Sequence, residues 1–564
     1  MLHWLFASLR GYRMGWLPSD LVAGLMLAAI AIPGQLATAR LAGMPPETGL
    51  YAFAAGSLAF AAFGANRFMS VQADSTIAPI FAGALASMAV ANNAPYAHLA
   101  TLLALMVGAV LVIVGLFRAG WLATLLSIPV TTGFLAGISI HIIIGELPTV
   151  LGISEEQGHI LLRLVHIVGR LGETNIYALA IGAGVLAATI VTAQISSRVP
   201  GALIGLVAAG LAVAQFHLEA RGVSVLGALP AHLPTLALPA FPDTNELGHL
   251  VPLALVIAMV CIMQTAAVAS TFPSDDKKPD DVSRDFAGVG AGSILAGLVG
   301  AFPVDSSPPS TAIVRDSGGR SQIASLAAVA LMIALVALAS GLTVYLPQAA
   351  LAGVLVYIAL RIFRLNEMIQ IYRRGGFEIL LVAASAGLVV VMPIETGVLL
   401  AIVLSFMHSL YNVARPYCVE LARVPGTTVW WPPSRVEHGE FEPGVLVFAP
   451  AAPLNFTNAE RIRANIDSAV AAKRPPVKLL VIEASGIIDI DYTGAKILQQ
   501  AVADLKAQGI TIAIARLSEE RAQDQAGRSG LVEIIGADHV FLSVEEAVRK
   551  LGPGKRGAPD RSPP

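Results

Sequence analysis

Cysteine and charge are what this chain has least of. Two cysteines, Cys261 and Cys418, stand among 564 residues, which leaves no disulfide framework and no thiolate metal site. Asp, Glu, Lys and Arg together make up 13% of the chain, about half the share in an ordinary soluble domain. The formal charge of −2 offers no basic surface for nucleic acid. No nucleophile–base pair and no cluster of metal ligands suggests an enzyme, and no cofactor is expected. Asp20 interrupts the first apolar run early and many such runs follow, so the N-terminus does not read as a signal peptide. What fills the chain instead is apolar. Hydrophobic residues are 55% of the total and the mean hydropathy is +0.72, so most of the chain belongs in lipid.

Fourteen apolar segments can be marked, against a requirement of roughly 20 residues to cross the hydrocarbon. After a cytoplasmic lead-in, residues 1–19, they begin at Leu21–Ile32, which runs on past Pro33-Gly34 to Thr38. Pro33-Gly34 is expected to break that helix. The others of the first half are Thr48–Gly64, Asp74–Val90, Leu99–Leu116, Trp121–Ile144, Ile176–Ile195 and Pro200–His217. A polar loop is expected over Gly145–Asn175, and an irregular Pro-rich stretch over Leu218–Leu247. The second half reads Val251–Ala269, Phe286–Ala301, Pro308–Val314, Ile323–Leu342, Tyr345–Leu360, Phe377–Val391 and Ile394–Val413, with a charged link near Asp275.

The third and tenth segments are the short, interrupted ones. One opens with Asp74-Ser75-Thr76-Ile77-Ala78, the other with Asp305-Ser306-Ser307-Pro308-Pro309-Ser310-Thr311. They hold equivalent places in two halves of seven. An odd number of crossings per half turns the second half over, so the pattern is that of a 7+7 inverted repeat with a site at its interface. A helix that starts inside a membrane carries unpaired N–H groups and partial positive charge. Two such starts facing each other make an anion site. On this reading peptide dipoles, rather than a fixed cation, receive the cargo.

Basic residues give the orientation. With the N-terminus inside, the cytoplasmic links hold Arg67, Arg118, Arg198, Lys277, Lys278, Arg284, Arg315, Arg320, Arg361, Arg364, Arg373, Arg374 and Arg415. The far side holds Arg40, Arg163, Arg170 and Arg221, a clear positive-inside bias. The membrane domain thus spans 20–415. A linker is expected over 416–441 and a small α/β domain over 442–551. Its strands are expected at Val445–Phe448, Leu479–Ile482 and Ile510–Ile514, and its helices at Asn458–Ala471 and Thr493–Lys506. Residues 552–564 read as a disordered tail.

The run Leu41-Ala42-Gly43-Met44-Pro45-Pro46-Glu47-Thr48-Gly49-Leu50-Tyr51, with Phe63-Gly64-Ala65-Asn66-Arg67, Ser310-Thr311-Ala312 and Gly318-Gly319-Arg320-Ser321-Gln322, resembles the SulP family of anion transporters, the sulfate-permease group with a C-terminal STAS domain. The resemblance implies an α-helical polytopic membrane protein with core spans 1–4 and 8–11 and gate spans 5–7 and 12–14. It implies a homodimer in the inner (plasma) membrane, with the N-terminus and the STAS domain cytoplasmic. The cargo would be a small anion, sulfate by family frequency, with bicarbonate, chloride and dicarboxylates as alternatives, carried by symport, antiport or facilitated passage. Three departures stand out. Gln35 is displaced by one position within Pro33-Gly34-Gln35. Gln264 stands where proton-coupled members carry Glu. Ser310 replaces a basic residue, which makes the site less positive.

The candidate substrate ligands are therefore Gln35, Ser75, Thr76, Gln264, Ser307, Ser310 and Thr311. The hydroxyls serve equally as helix caps, and the amides as interhelical bonds. Asp74 and Asp305 would repel an anion, so they are either caps or coupling sites for Na⁺ or H⁺. Arg40 caps the first span or faces the outer mouth, and His141 reads as a core histidine. In the soluble domain Thr493 sits where anti-sigma-factor antagonists carry a phosphorylated Ser. It is a phosphosite candidate, with simple helix capping the favoured reading. Membrane lipid is the remaining partner. A neutral nucleobase carrier, or a sensor that signals through its STAS domain, are the competing readings.

Overall fold

The order of elements along the first four hundred residues repeats itself. In a computed structural model, α1 (Leu17–Leu41), α2 (Pro46–Phe63), strand β1 (Val71–Gln72), α3 (Ala78–Asn92), α4 (Tyr96–Leu116), α5 (Ile128–Leu151), α6 (Ile160–Gly169), α7 (Ile176–Ile195) and α8 (Gly201–Phe216) come first. The same series then returns as α9 (Thr244–Thr271), α10 (Val282–Leu298), β2 (Asp305–Ser306), α11 (Pro308–Asp316), α12 (Ile323–Ala339), α13 (Gln348–Ile362), α14 (Leu365–Arg374), α15 (Glu378–Val391) and α16 (Ile394–Ala414). The structure describes residues 5–9, 12–92, 95–121, 127–154, 160–195, 199–227, 236, 239, 244–274, 281–339, 342–433 and 439–553. Most of the charged link near Asp275 and of the tail after 552 lies outside them.

β1 and β2 pair antiparallel, Val71 opposite Ser306 and Gln72 opposite Asp305. Antiparallel pairing of equivalent strands is what a two-fold axis between inverted copies produces. It also places the starts of α3 and α11 beside each other. Among the described residues, seven helices are long and apolar enough to cross a membrane, and four more are shorter and apolar.

Helix contacts are made through small residues. Lipid tails are as apolar as side chains, so close packing rather than the hydrophobic effect joins helices in a membrane. A methyl at Gly108 in α4 would lie 2.6 Å from the carbonyl oxygen of Gly290 in α10, and a methyl at Gly353 in α13 would lie 2.5 Å from that of Gly182 in α7. α1, α2, α4, α9, α10 and α12 pack on one another, as do α5, α7, α13 and α15.

Four expectations are corrected. α1 runs unbroken through Pro33: a proline removes one hydrogen bond, and flanking turns within a packed bundle hold the helix across that loss. The stretch Gly145–Asn175 is not one loop, because α5 continues to Leu151 and α6 follows. α5 itself starts at Ile128 rather than Trp121. The link between Leu360 and Phe377 contains α14. α6 and α14 are equivalent elements, ten residues each, with Leu162, Val165 and Val168 exposed on one and Leu365 and Tyr372 on the other. Helices of that length fall below the window that marks a membrane span.

The chain divides into two compact units, Met1–Phe406 and Met407–Pro564. The second unit is built on a five-stranded sheet of order β3-β6-β7-β8-β9: β3 (Cys418–Glu420), β6 (Val445–Pro450), β7 (Leu479–Glu483), β8 (Thr511–Ala515) and β9 (Val540–Phe541). β6 to β9 are parallel and β3 is an antiparallel edge. A two-stranded ribbon, β4 (Ala422–Arg423) with β5 (Trp430–Trp431), lies between β3 and β6 in sequence. Leu446, Leu480 and Ile512 pack on one face against α17 (Ala459–Ala472), α18 (Tyr492–Ala507), α19 (Glu520–Arg528) and α20 (Leu531–Ile535). Val447, Val481 and Ala513 pack on the other against α21 (Val544–Leu551). Both faces are covered, which is why the strands read as continuous apolar runs. β3 to β5 occupy the stretch read as a linker. Strands of two or three residues are too short to show a period of two.

Candidate functional site

A cavity of about 370 Å³ lies where the two half-helices begin. α1 contributes Gln35 and Thr38, the β1–α3 turn contributes Gln72, Asp74, Ser75 and Thr76, and α9 contributes Gln264. Ser307 and Ser310 come from the start of α11, and Tyr357, Arg361 and Arg364 from α13 and the turn after it.

The amides hold the floor together. Gln35 pairs with the backbone of Ala73 in both directions: its Nε2 donates to the Ala73 carbonyl at 3.0 Å and its Oε1 accepts from the Ala73 N–H at 3.1 Å. Gln264 Nε2 donates to the Ser306 carbonyl at 2.7 Å. One glutamine thus braces the chain just ahead of each half-helix, Gln35 at Ala73 after β1 and Gln264 at Ser306 of β2. Thr38 and Ser75 share a hydrogen bond of 2.7 Å.

Asp74 is 8% exposed. Its Oδ1 accepts from the Thr76 N–H at 2.8 Å and from the Thr76 hydroxyl. That hydroxyl also lies 3.2 Å from Gln264 Oε1, with a single hydrogen to give. The carboxylate therefore caps the turn that leads into α3 and also faces the cavity. A buried charge so placed is costly without a counter-charge.

The hydroxyls of α11 are differently placed. Ser307 occupies the N-cap position and makes no side-chain cap bond. Neither its hydroxyl nor that of Ser310 has a protein partner among the described residues. Pro308 and Pro309 carry no N–H, so Ser310 presents the first amide of α11. Two of the four donors at an ordinary helix start are thereby missing. Peptide dipoles alone make a weaker receptor here than the sequence reading supposed.

Positive charge comes from elsewhere. Arg361 and Arg364 line the cavity and are exposed. Arg364 reaches Glu367 at 3.3 Å, and Glu367 also accepts from Thr132 of α5 at 3.2 Å. Arg361 has no protein partner among the described residues. In the sequence both arginines count only toward the cytoplasmic basic links, because their distance from the half-helices along the chain hides their place beside them. The expectation of a receptor without a fixed cation therefore stands beside two guanidinium groups in the lining.

Six of the seven expected ligands line the cavity. Thr311 does not: it is fully buried, its hydroxyl donating to the Ser307 carbonyl at 2.7 Å and accepting from the Ser70 N–H at 3.0 Å. Asp305 also lies behind the wall and is fully buried. Its Oδ1 accepts from the Ser306 N–H at 2.6 Å, and its Oδ2 has no hydrogen-bond partner among the described residues. Thr38, Gln72, Tyr357 and the two arginines are the polar lining groups that sequence reasoning missed. Thr38 sits one helical turn from Gln35 on α1, and that i,i+3 spacing was the available signal.

The sequence pattern of the sulfate permease family matches residues 17–385, and that of the STAS domain matches residues 439–547. A probable sulfate transporter of Mycobacterium tuberculosis is 33% identical over 540 residues, 96% of each chain. This chain belongs to the sulfate permease family. A chloroplastic sulfate transporter of Arabidopsis thaliana, member 4.1, is 24% identical over 563 residues, covering 96% of this chain and 82% of its own. Among solved structures, the murine solute carrier 26 family member A9 anion transporter in its inward-facing state aligns with a TM-score of 0.84 at 19% identity, over 95% of this chain and 91% of that one. The transmembrane domain of a cyanobacterial bicarbonate transporter aligns with a TM-score of 0.61 at 20% identity, over 70% and 97%. The family is one of transporters, and the fold is a multi-pass helical membrane domain followed by a STAS domain.

In that STAS domain the N-cap of α18 is Asp491, whose carboxylate accepts from the Gly494 N–H at 2.6 Å. Thr493 is exposed in the first turn. The capping role expected of Thr493 thus belongs to Asp491, two positions earlier, where the backbone is still extended.

Proposed function

We propose that this protein carries a small inorganic anion, sulfate first, across the inner (plasma) membrane by alternating access to one cavity, together with H⁺ or Na⁺. The observation that carries this reading is the pair of unpartnered hydroxyls, Ser307 and Ser310, facing the same cavity as the unpaired guanidinium of Arg361. Hydroxyls and a planar cation are suited to oxyanions. Asp74 in the same wall opposes a lone anion and favours an anion that arrives with a cation. The names borne by the relatives support sulfate.

The moving core is α1–α4 with α9–α12, and the gate is α5, α7, α8, α13, α15 and α16. The repeated element order supports fourteen crossings, with α6 and α14 lying along the interface. The positive-inside bias of the basic links supports a cytoplasmic cavity mouth, N-terminus and STAS domain, with the domain bounds given above except that the soluble unit begins earlier. Homodimers are expected. Thr493 remains the candidate regulatory phosphosite.

The test is counterflow in proteoliposomes with sulfate, bicarbonate, chloride and a dicarboxylate, with and without a Na⁺ or pH gradient. Sulfate uptake that a cation gradient drives is the expected result, and Ser310→Glu or Ser75→Glu should abolish it. No flux of any anion, together with partner binding that needs the STAS domain, would overturn transport in favour of a sensor.

A further inference from the structure

The helices that frame this cavity frame a second one. α1 lines the first through Gln35 and Thr38 and the second through Arg40. The turn before α3 lines the first through Ser75 and Thr76, and α3 itself lines the second at Pro79, Gly83 and Ser87. α5 lines the first at Leu135 and the second at His141 and Glu146. At the helical rise, Leu135 and Glu146 are separated by roughly 16 Å along α5. The two spaces therefore lie toward opposite ends of α5, with the Thr38–Ser75 bond in the wall of the first. The second chamber has a volume of about 650 Å³. Its charged lining is Arg40, Arg163, Glu146 and Glu395, with His141.

Arg40 reaches across from α1 to both opposing helices. Its Nη2 donates to Thr149 Oγ1 of α5 at 2.5 Å, its Nη1 donates to the Gln348 carbonyl at the start of α13 at 3.3 Å, and its Nη2 lies 3.9 Å from Glu146 Oε2 of α5. Across the chamber Arg163 donates to the Gly145 carbonyl at 3.5 Å, and its Nε has no partner among the described residues.

We propose that this chamber is an anion-receiving site on the far face of the membrane, with Arg40 as its latch. A small oxyanion bound there takes the place of Glu146 on the Arg40 guanidinium and releases α1 from α5 and α13. The reading rests on the transport function above, because those are the helices that must part for the first cavity to open on the far side. At 3.9 Å the Glu146 contact is one of charge, beyond hydrogen-bond reach. An oxyanion offers a guanidinium two parallel bonds and competes well for it, and Arg163 supplies a second cation. The Arg40–Glu146 pair is mostly buried, its side chains 19% and 8% exposed, so a guanidinium that loses Glu146 needs another anion in its place. That contact joins elements whose separation is the transport step, so an anion that binds only the released state shifts that equilibrium.

The test is labelling of Thr38→Cys by an impermeant maleimide from each face of the membrane, in intact cells and in inverted vesicles. Ser87→Cys identifies the chamber face. Sulfate should raise chamber-face labelling of Thr38→Cys at least twofold. Adding Glu146→Gln should raise it at least threefold without sulfate. Arg40→Gln should do the same and erase the response to sulfate. If Arg40→Gln does not reach the membrane, Arg40→Lys, which loses the planar fork, should still raise the labelling. Labelling that ignores sulfate and every one of these substitutions overturns the latch. Proteoliposome flux separates the two ideas: absence of sulfate counterflow removes the transport reading, whereas counterflow with indifferent labelling removes the latch alone.

Discussion

Replacing Asp74 by Asn removes one negative charge and little else. The residue is 8% exposed and faces the cavity. Its Oδ1 caps the Thr76 N–H at 2.8 Å, and an Asn side chain keeps an oxygen at that place. The helix start should survive, so the change reports on charge. An anion seated about 5 Å from the carboxylate would be repelled by about 3 kcal/mol at an effective dielectric constant near 20. That corresponds to an affinity change on the order of a hundredfold. A proton or a sodium ion bound beside Asp74 cancels the repulsion, which is how a cation gradient would drive anion uptake. In proteoliposomes the native protein should accumulate sulfate only with an inward cation gradient. Asp74→Asn should bind sulfate more tightly at neutral pH without Na⁺, by tens to a hundredfold on the same Coulomb argument, and its flux should no longer follow the gradient. Flux by Asp74→Asn that still follows the H⁺ or Na⁺ gradient would refute coupling through this carboxylate. Unchanged affinity would show that the anion sits too far from it for the argument to hold.

Arg361→Gln should slow sulfate uptake severalfold at low ionic strength and hardly at all at high salt, because an exposed cation at a cavity mouth acts by steering; uptake with the same salt dependence as the native protein contradicts that role. Gly49→Ala should destabilise the membrane domain by about 1–3 kcal/mol. Its methyl would meet the Gln35 carbonyl oxygen at 2.1 Å, so an unshifted thermal midpoint in detergent would count against the α1–α2 packing. Asp491→Ala should cost the STAS domain about 1 kcal/mol through loss of the α18 cap, read by hydrogen exchange of that helix in the full chain. Thr493→Glu should slightly protect the same helix, since an added negative charge in the first turn favours it.

Most helices were legible because each is a long apolar run between polar links. Ile176–Ile195 is the case where both ends agree with the structure. The breaks before α3 and α11 were legible too, from Asp, Ser, Thr and Pro placed where lipid tolerates none without a purpose. Pro33 was misread for a related reason: sequence shows a helix breaker, while only neighbouring helices show whether the break is held shut. α14 escaped notice because its polar residues resemble a link when read for hydropathy alone, and α6, though apolar, is ten residues long and too short for a span.

By itself, the sequence determined the membrane class, the two-fold repeat, the family and six of the groups that line the cavity. Those features are written in composition, in spacing and in short local motifs. Tertiary structure alone decided which charges line the cavity. Arg361 lies 51 positions beyond Ser310 in the chain (361 − 310) and yet faces the same space, while Asp305 and Thr311, neighbours of Ser310, are turned behind the wall. The physical reason is that a helix period says which residues share a face, but only the packing of one helix against another says what that face meets.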